Sequence, residues 1–266
     1  MPEPVPPEYL AALQQTVASR QSFGSPLHYW SEIGSTNDEA ARLAERGAAE
    51  GTTVVASAQT AGRGRLGRSW FSPPGAGLYV SVICRTRKAV PYLTLAGGVA
   101  VAEGIRAATG LPVEIKWPND VVVETTGRRR KVAGVLAEAS SGAGGVQYVV
   151  LGFGINLRPA AYPSDIADRA TSLEAELGRE ADAPLVLAES LASLGRSIRS
   201  IDQAGPGAVL DRWRALAPSA QGHRVVWEST AGVREGRTAG LGEDGALLVS
   251  VSGRVERIIS GVVRWL

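Results

Sequence analysis

Gln59-Thr60-Ala61-Gly62-Arg63-Gly64-Arg65-Leu66-Gly67-Arg68-Ser69-Trp70 joins two apolar runs that read as strands, Thr52–Ala58 and Gly77–Arg85. Three glycines and three arginines occupy six of the seven positions from Gly62 to Arg68, with Leu66 as the seventh. Glycine lets a main chain approach a ligand closely and take positive φ. Arginine supplies a rigid fork of donors that matches phosphates and carboxylates. No Asp or Glu occurs between Gly51 and Ala102, so nothing nearby in sequence offsets Arg63, Arg65 and Arg68. The stretch reads as a loop, carried between strands, that wraps a small anion.

Gly62-x-Gly64-x-x-Gly67 also fits the form of a dinucleotide-binding fingerprint. That fingerprint opens a helix and needs an acid about 20 residues further on for a ribose. Pro73-Pro74-Gly75 forbids a long helix, and the acid-free stretch supplies no ribose partner. A Walker loop would need Gly-Lys-Ser/Thr, and a kinase glycine loop would need a His-Arg-Asp segment; neither is present. Arginine-glycine RNA-binding segments are long and repetitive, whereas this one is short and flanked by strands. A solvated basic turn is the plain alternative.

Outward from the loop, periodicity sets the architecture. Glu8–Arg20 reads as a short helix with Leu10, Leu13 and Val17 at helical spacing. Ser35-Thr36-Asn37-Asp38-Glu39 opens a helix to about Gly47, with Thr36 and Glu39 placed as a capping box. Pro91 begins a long, nearly uncharged helix to about Thr109, which is expected to be buried. Val113–Lys116 and Val121–Glu124 read as extended, Thr125-Thr126-Gly127 as a turn, and Val132–Ala139 and Tyr148–Leu157 as paired strands. Ser172–Leu216 is expected to be helical. From Val225 to Leu266 short β-rich runs alternate with glycine turns, including a hairpin at Glu243-Asp244-Gly245. The pattern predicts a mixed α/β domain over residues 1–217, its sheet flanked by helices, and a small all-β barrel over 218–266.

Composition narrows the function classes. An apolar content of 44% and a charged content of 20% are those of a globular protein. The net charge of +2 makes the basic loop a local feature, which argues against DNA or RNA as the main partner. A single cysteine, Cys84, sits in an apolar run and reads as a buried thiol, and two histidines are too few for a His-rich metal site. The proline-rich start lacks the features of a signal peptide, and no apolar run reaches the ~18 residues of a membrane span. A cytoplasmic protein is expected.

Other motifs carry groups suited to an anionic ligand. Lys131 enters the apolar strand Lys131-Val132-Ala133-Gly134, aimed into a pocket or ending the basic run Arg128–Lys131 on the surface. Asp120, in Lys116-Trp117-Pro118-Asn119-Asp120, has the chemistry to hold Mg2+ on a nucleotide or to cap its own turn. Asn156, in Gly152-Phe153-Gly154-Ile155-Asn156, is a candidate for a base or phosphate contact, with a β-bulge as the alternative reading of the glycines. Ser35, Thr36 and Asn37 offer hydroxyls and an amide to a polar head group, or cap a helix. Trp70 either stacks on a purine or packs in the core.

Taken in order, Ser35-Thr36-Asn37, Gln59-x-x-Gly62-Arg63-Gly64-Arg65-x-Gly67-Arg68-x-Trp70, Lys116-Trp117-Pro118-Asn119-Asp120, Lys131-x-x-Gly134 and Gly152-x-Gly154-x-Asn156 closely resemble the biotin–protein ligases, or biotin–[acetyl-CoA-carboxylase] ligases. The resemblance implies a catalytic domain similar to class II aminoacyl-tRNA synthetases followed by an SH3-like barrel. It implies that biotin and ATP give biotinyl-5′-AMP, and that a lysine on the biotin-acceptor domain of an acyl-CoA carboxylase takes the biotinyl group. By this likeness Ser35, Thr36, Asn37, Gln59 and Gly134 meet biotin. Gly62, Arg63, Gly64 and Arg65 close over its carboxylate and the adenylate phosphate. Arg68, Trp70, Asn119 and Asn156 meet ATP, and Lys131 bridges carboxylate and α-phosphate. Lys131, Arg65 and Arg68 are the expected catalytic cations. Asp120 is placed near Mg2+ or the incoming lysine. Residues 62–70 are expected to order over bound ligand.

The resemblance departs from many bacterial members, because only residues 1–34 precede Ser35, too few for their DNA-binding module. A form without that module, with no DNA partner, no membrane, and a monomeric or weakly dimeric state, is expected. A lipoate–protein ligase is the nearest alternative, and a non-catalytic biotin-responsive regulator the more distant one. The triple arginine Arg128–Arg130 is not required by the family pattern and reads as a solvated turn or an acceptor-docking patch.

Overall fold

A computed structural model describes residues 1–125, 127–229 and 232–266. Thr126, in the expected Thr125–Gly127 turn, lies outside the described residues. The chain begins with helices α1 (Pro7–Gln15) and α2 (Val17–Arg20), then strand β1 (Leu27–Trp30), helix α3 (Thr36–Glu45) and strands β2 (Thr53–Ala56) and β3 (Gly77–Cys84). Helix α4 (Leu93–Thr109) leads to β4 (Glu114–Lys116), β5 (Asp120–Thr125), β6 (Arg128–Gly142) and β7 (Gly145–Asn156). Helices α5 (Leu173–Leu177), α6 (Ala183–Ala204) and α7 (Gly207–Leu216) follow. Last come strands β8 (Gln221–Ser229), β9 (Gly232–Leu241), β10 (Leu247–Val251), β11 (Arg254–Ile258) and β12 (Val263–Trp265).

Strands β1 to β7 form one sheet in the order β1-β2-β3-β7-β6-β5-β4, parallel only between β1 and β2. Its two faces are covered differently. One face presents Leu78, Val80 and Val82 of β3 and Leu151, Phe153 and Ile155 of β7 to the main core, with α4, α6 and α7 stacked above. The other packs Ile83, Tyr148 and Val150 against Ala40 and Ala44 of α3, leaving the neighbouring part of that face for the site. Burial on both faces explains why β3 reads as a continuous apolar run. The mixed sheet flanked by helices is the fold expected, and the second sheet, β11-β10-β9-β8-β12, is antiparallel throughout as an SH3-like unit requires. Among the described residues no helix is long and apolar enough to cross a membrane.

Helix α4 is the middle layer and its small residues set the spacing. A Cβ on Gly97 would lie 2.8 Å from Val135 Cγ1 in the sheet below, and one on Gly104 2.6 Å from the Ser190 main-chain nitrogen in α6. Gly104→Ala gains up to about 1 kcal/mol in helix propensity, but the contact is with backbone and cannot yield cheaply. A net loss of about 1–2 kcal/mol is expected. Chemical denaturation with an unchanged midpoint would contradict it. Gly110, at φ +77, ends α4 in the left-handed conformation, its N–H bonded to Arg106 O.

Several local expectations need correction. The N-terminal helix is broken at Thr16, whose hydroxyl donates to Leu13 O at 3.3 Å. The capping box does not form: Ser35 is the N-cap residue without a side-chain cap, and Glu39 pairs with Arg42 instead. The helical region after Ser172 divides into three helices. Arg128–Arg130 is part of β6 and not a turn. Arg130 donates to Glu176 Oε1 at 2.7 Å, and Thr171 Oγ1 donates to the same oxygen at 2.6 Å. Glu176 has a side chain only 4% exposed, so Arg130 balances a buried charge. Arg129 donates to Glu124 at 2.7 Å.

Candidate active site

The site is built on a bare patch of sheet. Gly154 is registered between Tyr79 of β3 and Gly134 of β6, and Gly152 between Ser81 and Leu136. Pairing is regular through both glycines, so the β-bulge reading fails. What they provide is space. A Cβ on Gly152 would lie 2.2 Å from Asn37 Oδ1, one on Gly154 2.4 Å from Trp70 Nε1, and one on Gly134 2.8 Å from Lys131 Nζ. Side chains from three distant segments thus lie on a floor that alternation would otherwise fill. Ser35, Thr36, Asn37, Gln59, Arg63, Gly64, Arg65, Trp70, Asn119, Lys131 and Gly134 line the resulting cavity with Gly152 and Gly154.

At one end, α3 and the loop base form a polar network. Gln59 Oε1 accepts from Thr36 N at 2.9 Å and from Thr36 Oγ1 at 3.0 Å, so a side chain from the loop caps the helix start. Gln59 Nε2 donates to Ser72 Oγ at 3.1 Å. Buried Ser81 on the floor reaches Thr36 Oγ1 at 2.8 Å and Asn37 Oδ1 at 2.5 Å. Asn37 Nδ2 donates to Glu138 Oε2 at 2.5 Å. These fixed hydroxyls and amides suit a neutral polar head group.

At the other end lie the cations. Lys131 Nζ is 2.5 Å from Asp120 Oδ1 and 4.9 Å from the centre of the Trp70 ring. Its main chain is held on both sides: Lys131 N donates to Arg169 O at 2.7 Å and Lys131 O accepts from Thr171 N at 2.9 Å. Arg65 Nη1 donates to Asn119 Oδ1 at 3.2 Å, while Asn119 Nδ2 donates to Val135 O at 2.7 Å. Burial lowers the Arg65 pKa, with Asp120 opposing and Arg68 adding to the shift. The Trp70 indole N–H has no hydrogen-bond partner among the described residues, leaving an unsatisfied donor on the floor. The second sheet grips the turn before Asp120: Trp117 Nε1 donates to Gly245 O at 3.1 Å, and Lys116 Nζ lies 5.1 Å from the centre of the Trp265 ring. Burial depresses the Lys116 pKa against the pull of Asp120.

Other expected site residues take different places. Arg63 is not unopposed: it donates to both oxygens of Asp38, at 2.8 and 2.6 Å, and to Glu138 Oε2 at 3.4 Å. Both acids are remote in sequence, and they pair its guanidinium at the edge of the cavity that it helps to line. Arg68 is exposed and makes no side-chain hydrogen bond among the described residues. Gly62 is wedged at the loop base, where a Cβ would lie 2.7 Å from Trp70 O. Asn156 Nδ2 donates to Thr171 O at 2.9 Å, so it supports the segment that holds Lys131 and does not line the cavity. Asp120 reaches the site through Lys131. Reading the sequence missed Ser81, Asp38 and Glu138. Glu138 follows Gly134 by an even number of residues along β6, a signal available once Gly134 is placed on the floor.

The profile of the Biotin/lipoate A/B protein ligase family matches residues 32–156. The bifunctional ligase/repressor BirA of Bacillus spizizenii is 34% identical over 242 residues, covering 89% of this chain and 73% of its own. The biotin–[acetyl-CoA-carboxylase] ligase of Mycobacterium tuberculosis is 33% identical over 269 residues, covering 97% and 96%. Among solved structures, the biotin protein ligase from Aquifex aeolicus in complex with biotin and ATP superposes with a TM-score of 0.77 at 30% identity, covering 90% of this chain and 99% of that one.

Proposed function

This chain belongs to the biotin–protein ligases, within the biotin/lipoate A/B protein ligase family, and we propose how its site carries out that reaction. The chain is a biotin–[acetyl-CoA-carboxylase] ligase using biotin and ATP. In the first step a biotin carboxylate oxygen attacks the α-phosphorus of ATP, and the bond to pyrophosphate breaks. In the second, the amine of an acceptor lysine attacks the carbonyl carbon of the biotinyl-AMP anhydride, loses a proton, and AMP leaves. The acceptors we assign are the biotin-carrying domains of acyl-CoA carboxylases, modified in the cytoplasm.

The observation that carries this reading is the glycine floor between a neutral polar end and a cationic end. Gly134, Gly152 and Gly154 leave room for Asn37, Trp70 and Lys131 to lie against the sheet, and these side chains shape the cavity that takes the fused ring of biotin. Ser35, Thr36, Asn37 and Gln59 meet its ureido edge. Lys131 and Arg65 face the opposite end, where two anions must be brought together against their repulsion. Asn119 orients Arg65, and Asp120 orients Lys131. Gly64 brings the loop backbone close to the carboxylate, and Trp70 and Arg68 take the nucleotide side. Asn156 acts by supporting Lys131.

The described residues do not make a metal site held by protein ligands alone. Among the described residues no three His, Cys, Asp or Glu side chains cluster, and the Asp120 carboxylate is already paired with Lys131. Mg2+ therefore enters as part of the ATP substrate. The test is mass spectrometry of an acceptor domain incubated with the protein, ATP, Mg2+ and equimolar biotin and lipoate. One biotinyl group added per acceptor is expected. Lipoylation, or no product, would overturn the reading.

A further inference from the structure

The loop between Gly62 and Trp70 is weakly self-supporting. Its backbone bonds, Trp70 N to Gly62 O at 2.9 Å, Gly64 N to Arg68 O at 2.7 Å and Arg68 N to Arg65 O at 3.3 Å, fold it on itself and tie it to no other element. Its tip holds Leu66 at φ +58 and Gly67 at φ +71, and Leu66 is 67% exposed. A bulky residue in the left-handed region is strained. What fastens the loop to the body is side chains: Trp70 at its end, lying against Gly134 and Gly154 with Lys131 over its ring, the Arg65–Asn119 bond at 3.2 Å, and the Arg63 fork on Asp38 and Glu138.

We propose that Arg63, Asp38 and Glu138 form a latch that holds the glycine-arginine loop closed over the cavity, with Asp38 as its positioning residue. The latch joins three elements, since Asp38 lies in the first turn of α3 and Glu138 on β6. Two parallel N–H···O bonds to one carboxylate fix orientation as well as distance. Asp38 and Glu138 would repel each other without the guanidinium between them. Glu138 also accepts from Asn37, so the latch is coupled to the amide and hydroxyl network at the head-group end. Arg63 and Asn37 line both the main cavity and a second one bordered by Asp38, Glu138 and Tyr148. Hydrogen bonding from Arg63 holds the Asp38 carboxyl below its ordinary range, as a maintained pair requires. Neither acid lines the main cavity, so Asp38 acts on the reaction only through the loop.

The consequence rests on the ligase reading: the latch sets how long the water-sensitive anhydride is retained before an acceptor arrives. The test begins without ligand, by hydrogen exchange in residues 62–70 of the wild type, Asp38→Asn and Asp38→Glu. A half-exposed ion pair shifts an opening equilibrium modestly, so exchange about three- to fivefold faster is expected in Asp38→Asn. Near-wild-type exchange is expected in Asp38→Glu. Acceleration confined to 62–70 supports the latch. Unchanged exchange overturns it, and so does acceleration spread equally through α3 and β3, which would make Asp38 part of the fold. Given biotin and ATP, Asp38→Asn is expected to release severalfold more free biotinyl-AMP per acceptor labelled, and an unchanged ratio overturns the retention role. A wild type that forms no biotinyl-AMP would sink the ligase reading instead, and the ligand-free exchange would still decide the latch.

Discussion

Lys131→Ala is expected to slow biotinyl-AMP formation by about 10²–10³-fold while leaving the fold intact. Removing one preorganised donor aimed at developing charge costs about that much in comparable oxyanion sites. The Lys131 ammonium is held by Asp120 at 2.5 Å and by the face of Trp70, and its main chain is fixed by hydrogen bonds on both sides. It therefore needs little reorganisation when a carboxylate and a phosphate arrive. Truncation also leaves Asp120 without its partner, turning a neutral pair into a negative charge beside two anionic substrates. The rate is read as biotin-dependent pyrophosphate release in single-turnover experiments. Lys131→Arg keeps the charge but not the compact point geometry, and is expected to recover only part of the rate. A rate for Lys131→Ala within tenfold of wild type would remove Lys131 from the chemistry.

Gly154→Ala tests the floor. One methyl group there would lie 2.4 Å from Trp70 Nε1 and 2.6 Å from Trp70 Cε2, so the indole must leave its place. Overpacking of this kind costs about 1–3 kcal/mol, which as lost binding is about five- to 150-fold. The expected result is a higher KM for biotin or ATP of that size with a small change in Tm. Gly144→Ala is the control, because a Cβ there meets nothing within 4 Å, and it should bind as wild type. Equal binding by both variants would show that the floor does not set the cavity's shape.

How much of this was legible in the chain depends on the distance over which each interaction acts. The strands flanking the loop, the buried helix α4 and the hairpin-rich last segment followed from local periodicity. The catalytic motifs were visible as ordered short patterns. Lys131 alone was ambiguous between pocket and surface, and only the fold shows its ammonium above Trp70 and Gly134. Arg128–Arg130 looked like a solvated run because Glu176, which Arg130 neutralises, lies far along the chain.

The loop separates the two kinds of information most clearly. Its glycines, its arginines and the absence of nearby acid were enough to mark a freely folding, basic segment, because backbone freedom and formal charge are properties of the residues themselves. How each arginine is paired was decided by tertiary structure. Folding brings Asp38 and Glu138 to Arg63 and leaves Arg65 beside Asn119 at the cavity. Ion pairing falls off steeply with distance, and distance in space is set by how α3 and β6 pack, not by separation along the chain.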